Sequence, residues 1–155
     1  MMHLKEGDKA PELNITDQNG KVHQMTDYLG KKVILYFYPK DLTPGCTVES
    51  CDLRDNYEKL KSDGFEVIGV SADAENKHQR FIEKHHLPFN LLADTNKEVL
   101  NRYGVWGEKK FMGKTYDGIH RTTFVINKKG IIEKIISKVK TKHHTQQIRE
   151  ELSTK

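Results

Sequence analysis

An α/β fold with a central mixed β-sheet flanked by helices is predicted by three features of the sequence. Short β-branched or aromatic runs alternate with amphipathic helical segments, a hairpin signal follows near the end, and another hairpin signal precedes the first alternation. The chain of 155 residues is about one domain long, so a single unit over residues 1–155 is expected to bury its own core. Hydrophobic residues at 35% and charged residues at 31%, with aromatics spread from Tyr28 to Phe124, exclude disordered and fibrous classes.

The first strand is read from VILYFY, Val33 to Tyr38, a run of the kind buried on both faces of a sheet. Thr43 then suits an N-cap and Pro44 a first helical position, and Leu53, Tyr57 and Leu60 share one helical face. Gly64 provides the stop, so a helix from Thr43 to about Asp63 is predicted. The alternation repeats with Glu66–Ala72 as strand, Glu75–His86 as helix and Phe89–Ala93 as strand, the helix aligning His78, Phe81, Ile82 and His85. Near the end, RTTFVI and IIEKII flank NKKG, where Gly130 suits a tight turn, and His143–Leu152 forms a closing helix. ELNITDQNGKVHQM reads as an N-terminal β-hairpin extension around Asp17–Gly20. This element order is that of a thioredoxin-like fold, which leaves function open.

No stretch is long and apolar enough to span a bilayer, and MMHLKEGDKAPEL lacks the apolar core of a secretory signal, so a cytoplasmic protein with no membrane partner is expected. The net charge of +4 is mild, and much of the excess lies between Lys128 and Lys142. That stretch has no aromatic residue on which a base could stack, so it reads as a solvated basic face and nucleic acid is not expected as a partner.

The two cysteines, Cys46 and Cys51, are the only ones in the chain and stand five residues apart. In a reducing compartment such a pair points to transient or catalytic sulfur chemistry rather than a permanent staple. Cys46 falls in the first turn of the predicted helix, where unpaired amides and the positive end of the macrodipole favour thiolate, the nucleophilic form. The same position equally suits a small inert residue filling a strand–helix junction. Five residues along an ideal helix separate Cα atoms by roughly 8 to 9 Å, beyond the approximately 7 Å reach of a disulfide. With a rotation of about 140° between the side chains and no CxxC, a shared metal ion is not expected either. The pairs His85-His86 and His143-His144 read as ordinary surface histidines, and Trp106 as an aromatic packed under the loop GVWGEKKFMG.

Pro39, Thr43 and Cys46 match the Pro-x-x-x-Thr-x-x-Cys signature of peroxiredoxins. The longer YFYPKDLTPGCTVESCDLRD resembles the bacterioferritin comigratory protein, or peroxiredoxin Q, subfamily, as do GDKAPELNITDQNGK, YGVWGEKKFMGKTYDG and DGIHRTTFVI. The resemblance covers almost the whole chain.

What the resemblance implies is a thiol peroxidase that needs no cofactor, takes hydrogen peroxide and organic hydroperoxides, and is restored by thioredoxin or a similar dithiol protein. Cys46 would be the peroxidatic cysteine and Arg121 the cation that favours its thiolate and holds the peroxide oxygens. Thr43 would hydrogen-bond the substrate, Pro39 would shield the thiolate from water, and Glu49 would orient the arginine. Cys51 falls where the subfamily often carries a resolving cysteine, giving an intramolecular Cys46–Cys51 disulfide, and the resemblance also implies a monomer. A thioredoxin-like disulfide reductase would want CxxC, whereas a non-catalytic redox sensor or holdase would be oxidised once without turnover.

Overall fold

Alternation of apolar side chains along one central strand divides the core in two. The computed structural model describes residues 3–153, so the ends of the expected 1–155 unit lie outside the described residues. The chain begins with a hairpin of β1 (Ile15–Thr16) and β2 (Val22–His23), followed by a 3-10 turn at Met25–Tyr28. Then come β3 (Lys32–Phe37), α1 (Pro44–Asp55), α2 (Tyr57–Ser62), β4 (Phe65–Ser71), α3 (Glu75–His85), β5 (Asn90–Ala93) and α4 (Glu98–Arg102). A ribbon of β6 (Trp106–Phe111) and β7 (Lys114–Ile119) precedes β8 (Thr122–Ile126), β9 (Ile132–Ile136) and α5 (His144–Ser153).

The main sheet has the order β5-β4-β3-β8-β9. β3 pairs parallel with β4, β4 parallel with β5, and β8 runs antiparallel to both β3 and β9, so the sheet is mixed as the sequence predicts. Because successive strand side chains point to opposite faces, Val33, Leu35 and Phe37 enter one core cluster, and Ile34, Tyr36 and Tyr38 enter the other. The first cluster is covered by Val99 and Leu100 of α4 and by Leu13 and Met25 of the N-terminal segment. The second is covered by Leu53 of α1, Tyr57 and Leu60 of α2, Phe81 of α3 and Ile148 of α5. The N-terminal hairpin is pinned by His23, whose ring nitrogens lie 2.7 Å from Asp17 Oδ2 and 2.5 Å from the Tyr28 hydroxyl.

Three local expectations are corrected. The helix predicted over Thr43–Asp63 is two helices, broken at Asn56 (φ −109°, ψ 8°). There the Asn56 side chain donates to the carbonyl of Asp52 at 2.8 Å, the kind of side-chain competition with the backbone ladder that ends helices. The loop expected around Trp106 is the β6–β7 ribbon, turned at Met112 and Gly113 with φ of 51° and 79°. Positive φ at both central residues is what a two-residue hairpin turn requires. Trp106 itself packs against the first core cluster, with Lys97 Nζ 5.2 Å from its ring centre. α4 has no counterpart in the sequence reading; Asp94 Oδ2, which accepts the Leu100 amide at 2.7 Å, helps to hold it.

Gly69 of β4 shows how tightly the second face is packed. A Cβ there would sit 2.7 Å from Leu91 Cδ2 and 2.8 Å from the Tyr36 ring, and the Tyr36 hydroxyl meets Ser50 Oγ of α1 at 2.9 Å. Gly69→Ala should therefore destabilise the protein by about 1–3 kcal/mol in urea unfolding, the ordinary cost of overpacking. An unchanged midpoint would show that this face has slack.

Candidate active site

β3 runs into a loop that carries Pro39 to Leu42 to the start of α1, and the loop is fastened at Asp41. This buried carboxylate accepts the Tyr38 hydroxyl on one oxygen and faces His78 Nδ1 at 2.5 Å on the other. The Asp41 amide donates to Asp73 Oδ2 at 2.7 Å, and His78 Nε2 donates to the Leu92 carbonyl at 2.9 Å. Asp41, Asp73 and His78 bring possible metal-ligating atoms within 4.8 Å of one another. Their side chains are engaged with each other, with the Ser71 hydroxyl and with Lys77 Nζ, 3.2 Å from Asp73 Oδ1, so the group works as an anchor for the loop. Leu42 then takes a positive φ of 64° and turns the chain into the helix.

Thr43 occupies the predicted N-cap position, and its carbonyl accepts the Thr47 amide at 2.8 Å. Its side chain does not cap the helix as expected; Oγ1 donates instead to the Lys40 carbonyl at 2.8 Å. Pro44 is the first helical residue, which puts Cys46 in the first turn with 1% of its surface exposed. Pro39, half-buried, lines a shallow cleft with Trp106, Tyr116 and Ile119 of the ribbon.

Arg121 lies directly before β8, and the pairing of Phe37 with Thr122 brings it to the same end of the sheet as the loop after β3. Its guanidinium bridges two residues of α1. Nη1 donates to Glu49 Oε1 at 2.5 Å and Nη2 to Cys46 Sγ at 3.3 Å. Burial works against the charge of Arg121, but Glu49 and Cys46 outweigh it and raise its pKa above the ordinary arginine range. A Cβ on Gly45 would sit 3.4 Å from Nη2, so the guanidinium packs directly over the residue before Cys46.

Glu49 is fully buried, and burial pushes its carboxyl up to about 7 against the pull of Arg121. Its second oxygen faces His144 Nε2 at 3.5 Å. His144 overturns the surface reading of the His143-His144 pair: it is fully buried, with Thr123 Oγ1 2.7 Å from Nε2 and Gln147 Oε1 3.0 Å from Nδ1, whereas His143 is exposed. Burial pushes its imidazole down to about 4. The spacing of His144, Ile148 and Leu152, four residues apart along one helix face, is the sequence signal that places the histidine inward.

The structure thus brings Cys46, Glu49 and Arg121 into contact and sets Thr43 and Pro39 on the loop ahead of them. Cys51 is half-buried on the same unbroken helix, and both cysteines are free. Burial pushes the Cys51 thiol up, so Cys51 rests as thiol.

A thioredoxin-like sheet with a buried helix-terminal cysteine under an arginine defines a class, and comparison with known proteins bears it out. The AhpC/TSA family model matches residues 6–135, and the chain belongs to that family. It is 51% identical to the peroxiredoxin Bcp of Escherichia coli K12 over 93% of this chain and 92% of that one. It is 47% identical to the peroxiredoxin Bcp of Bacillus subtilis 168, over 92% and 91% of the two chains. Among solved structures, the Xanthomonas campestris bacterioferritin comigratory protein, described for its alkyl peroxide reduction activity, superposes with a TM-score of 0.88 at 28% identity, covering 97% of both chains. The chain is therefore a peroxidase of the peroxiredoxin type, as its resemblance implies.

Because one guanidinium serves two partners through separate nitrogens, an ammonium cannot replace it. Arg121→Lys should keep the fold and lower the rate of peroxide reduction by about one to two orders of magnitude, the worth of a charge-assisted hydrogen bond. Rates equal to the unmodified protein in a peroxide-consumption assay would remove Arg121 from the chemistry.

Proposed function

We propose that the chain is an atypical two-cysteine peroxidase that reduces hydrogen peroxide and small alkyl hydroperoxides, with Cys46 as peroxidatic and Cys51 as resolving residue. The observation that carries this reading is the contact of Arg121 Nη2 with Cys46 Sγ at 3.3 Å in a first helical turn, a setting that favours thiolate. The thiolate sulfur attacks the terminal oxygen of the peroxide. The S–O bond forms as the O–O bond breaks, leaving Cys46 as sulfenic acid and the other oxygen as alkoxide or hydroxide, which takes a proton to leave as alcohol or water. Arg121 opposes the negative charge that grows on the leaving oxygen. The proton of the Thr43 hydroxyl is committed to the Lys40 carbonyl, so towards a peroxide Thr43 acts as acceptor and orients the peroxide O–H. Pro39, which has no amide proton, closes the water-facing side of the loop.

The Cys51 thiol then condenses with the sulfenic acid, forming the disulfide and releasing water. A dithiol protein such as thioredoxin returns both thiols by exchange and is itself oxidised to a disulfide. The protein works as a single-domain monomer in the cytoplasm. Since no ordinary helix lets the two sulfurs bond, α1 must unwind between Cys46 and Cys51 during each cycle.

Two experiments test this. Cys46→Ser should abolish peroxide consumption, whereas Cys51→Ser should react once and then depend on a small added thiol or drift to sulfinic acid. Normal turnover by Cys46→Ser would end the assignment, and a single stoichiometric oxidation of the unmodified protein in the presence of thioredoxin would favour a redox sensor. Amide hydrogen exchange across Thr47 to Arg54 should be slow in the reduced protein and fast once the disulfide is confirmed by mass. Equal protection in both states would rule out the unwinding.

A further inference from the structure

One oxygen of Glu49 is accounted for by Arg121, but the other is not. Oε2 is buried without a hydrogen-bond donor and faces His144 Nε2 at 3.5 Å. The state of that nitrogen follows from its neighbours. Gln147 Oε1 accepts the Lys140 amide at 2.9 Å and Gln147 Nε2 donates to the Lys138 carbonyl at 2.7 Å, which fixes the amide with its oxygen towards His144 Nδ1 at 3.0 Å. Nδ1 therefore carries the ring proton, and Nε2 of the neutral ring presents a lone pair. A carboxylate oxygen and a lone-pair nitrogen are both acceptors. The Thr123 hydroxyl, 2.7 Å from Nε2, can give its single proton to that nitrogen, which leaves Glu49 Oε2 with no donor. In a site this buried, an unsatisfied anionic oxygen is costly, and one further proton supplies what it lacks.

We propose that Glu49 and His144 hold one shared proton in the reduced protein, and that His144 is thereby a positioning residue that leaves the charge of Arg121 to the Cys46 thiolate. The proposal rests on the reading of Cys46 as the peroxide-reactive sulfur. With the proton in place the pair carries no net charge, and the guanidinium faces one anion. Without it, Arg121 lies between two anions, the thiolate gains a buried negative neighbour, and charge growing on the leaving oxygen is opposed less.

The other charged or titratable groups that act on this cluster are Cys46 and Asp52 on α1, the Tyr36 phenol on β3, Arg121 before β8 and Lys109 on the ribbon. Asp52 adds to the negative field at Glu49, which favours the bound proton. Burial pushes Glu49 up to about 7 and His144 down to about 4, so the first proton leaves near neutrality and a second binds only in acid. Between these limits the pair keeps one. The reaction of Cys46 should then slow with rising pH as the pair loses its proton, giving an alkaline limb.

The test is the first-turnover rate of the full reduced chain with hydrogen peroxide, followed by rapid mixing from about pH 5 to about pH 9. The unmodified protein should show an alkaline limb, and Glu49→Gln, whose amide never ionises, should lack it. His144→Gln should move the alkaline limb to lower pH by about one unit, which is about tenfold in rate at a fixed alkaline pH. A limb absent from the unmodified protein, or unmoved in folded His144→Gln, overturns the proposal. Nuclear magnetic resonance of the unmodified protein decides independently of that variant's folding. The Glu49 carboxyl carbon should titrate near neutrality while the His144 ring stays in its Nδ1–H form. A Glu49 carboxylate ionised throughout that range refutes the shared proton. Failure of peroxide to oxidise Cys46 at any pH would instead refute the proposed function and leave the resonance result standing.

Discussion

Everything at the active end of the molecule depends on one guanidinium. Arg121 comes from the segment before β8, Cys46 and Glu49 from α1, and the chain between these elements includes most of the fold. Their meeting requires β8 to pair with β3 in one register, Phe37 against Thr122, because a shift by one residue would turn every side chain of β8 to the other face. The buried strands β3 and β8 are thus a ruler that delivers a cation to a sulfur. The Asp41 anchor completes it by fixing the loop from which α1 departs.

Charge at this site is managed in a small volume. A sulfur, a guanidinium and a carboxyl share a largely buried region, so each proton decides how strongly the others attract. Arg121 is half-exposed at most, its side chain 22% accessible, while the Glu49 side chain is not accessible at all. The guanidinium is therefore open to solvent, and the carboxyl that holds it is not. On the proposed function, a peroxide meets a positive, fork-shaped donor and a sulfur, with the carboxyl hidden behind them.

The core strand and the helix start that carries Cys46 are legible in the sequence because each is written in local chemistry. Val33 to Tyr38 can hardly be other than a buried strand, and Thr43-Pro44 ahead of Cys46 marks a helix start without reference to anything distant. The features that escaped depend on contacts between remote residues or on a single side chain's choice. Asn56 ends the first helix with its side-chain amide turned back to the Asp52 carbonyl. The β6–β7 ribbon stands outside the main sheet and exposes Phe111 and Met112 at its tip, so it never shows the alternation that identifies a half-buried strand. His144 sits in a polar, Lys-rich stretch that masks its spacing with Ile148 and Leu152, and the partners Glu49 and Thr123 that it meets inside are remote in the chain.

The way α1 is held also bears on its proposed unwinding. Its buried residues are Cys46, Glu49, Ser50 and Leu53, so one ordinary apolar side chain anchors the helix and the rest of its buried face is polar or sulfur. Glu49 bonds Arg121, Ser50 bonds Tyr36, and Asp52 accepts the Thr145 amide at the start of α5 at 2.7 Å. Polar contacts of this kind exchange for contacts with water when a segment opens, so their net loss is far smaller than their strength in place, whereas exposed apolar surface finds no substitute. Leu53 lies beyond Cys51 and can remain docked against the second core cluster while the turn before it unwinds. A segment fixed by directional polar contacts and bounded by a hydrophobic anchor is rigid when closed and inexpensive to open. That combination suits the opening that the proposed cycle asks of α1.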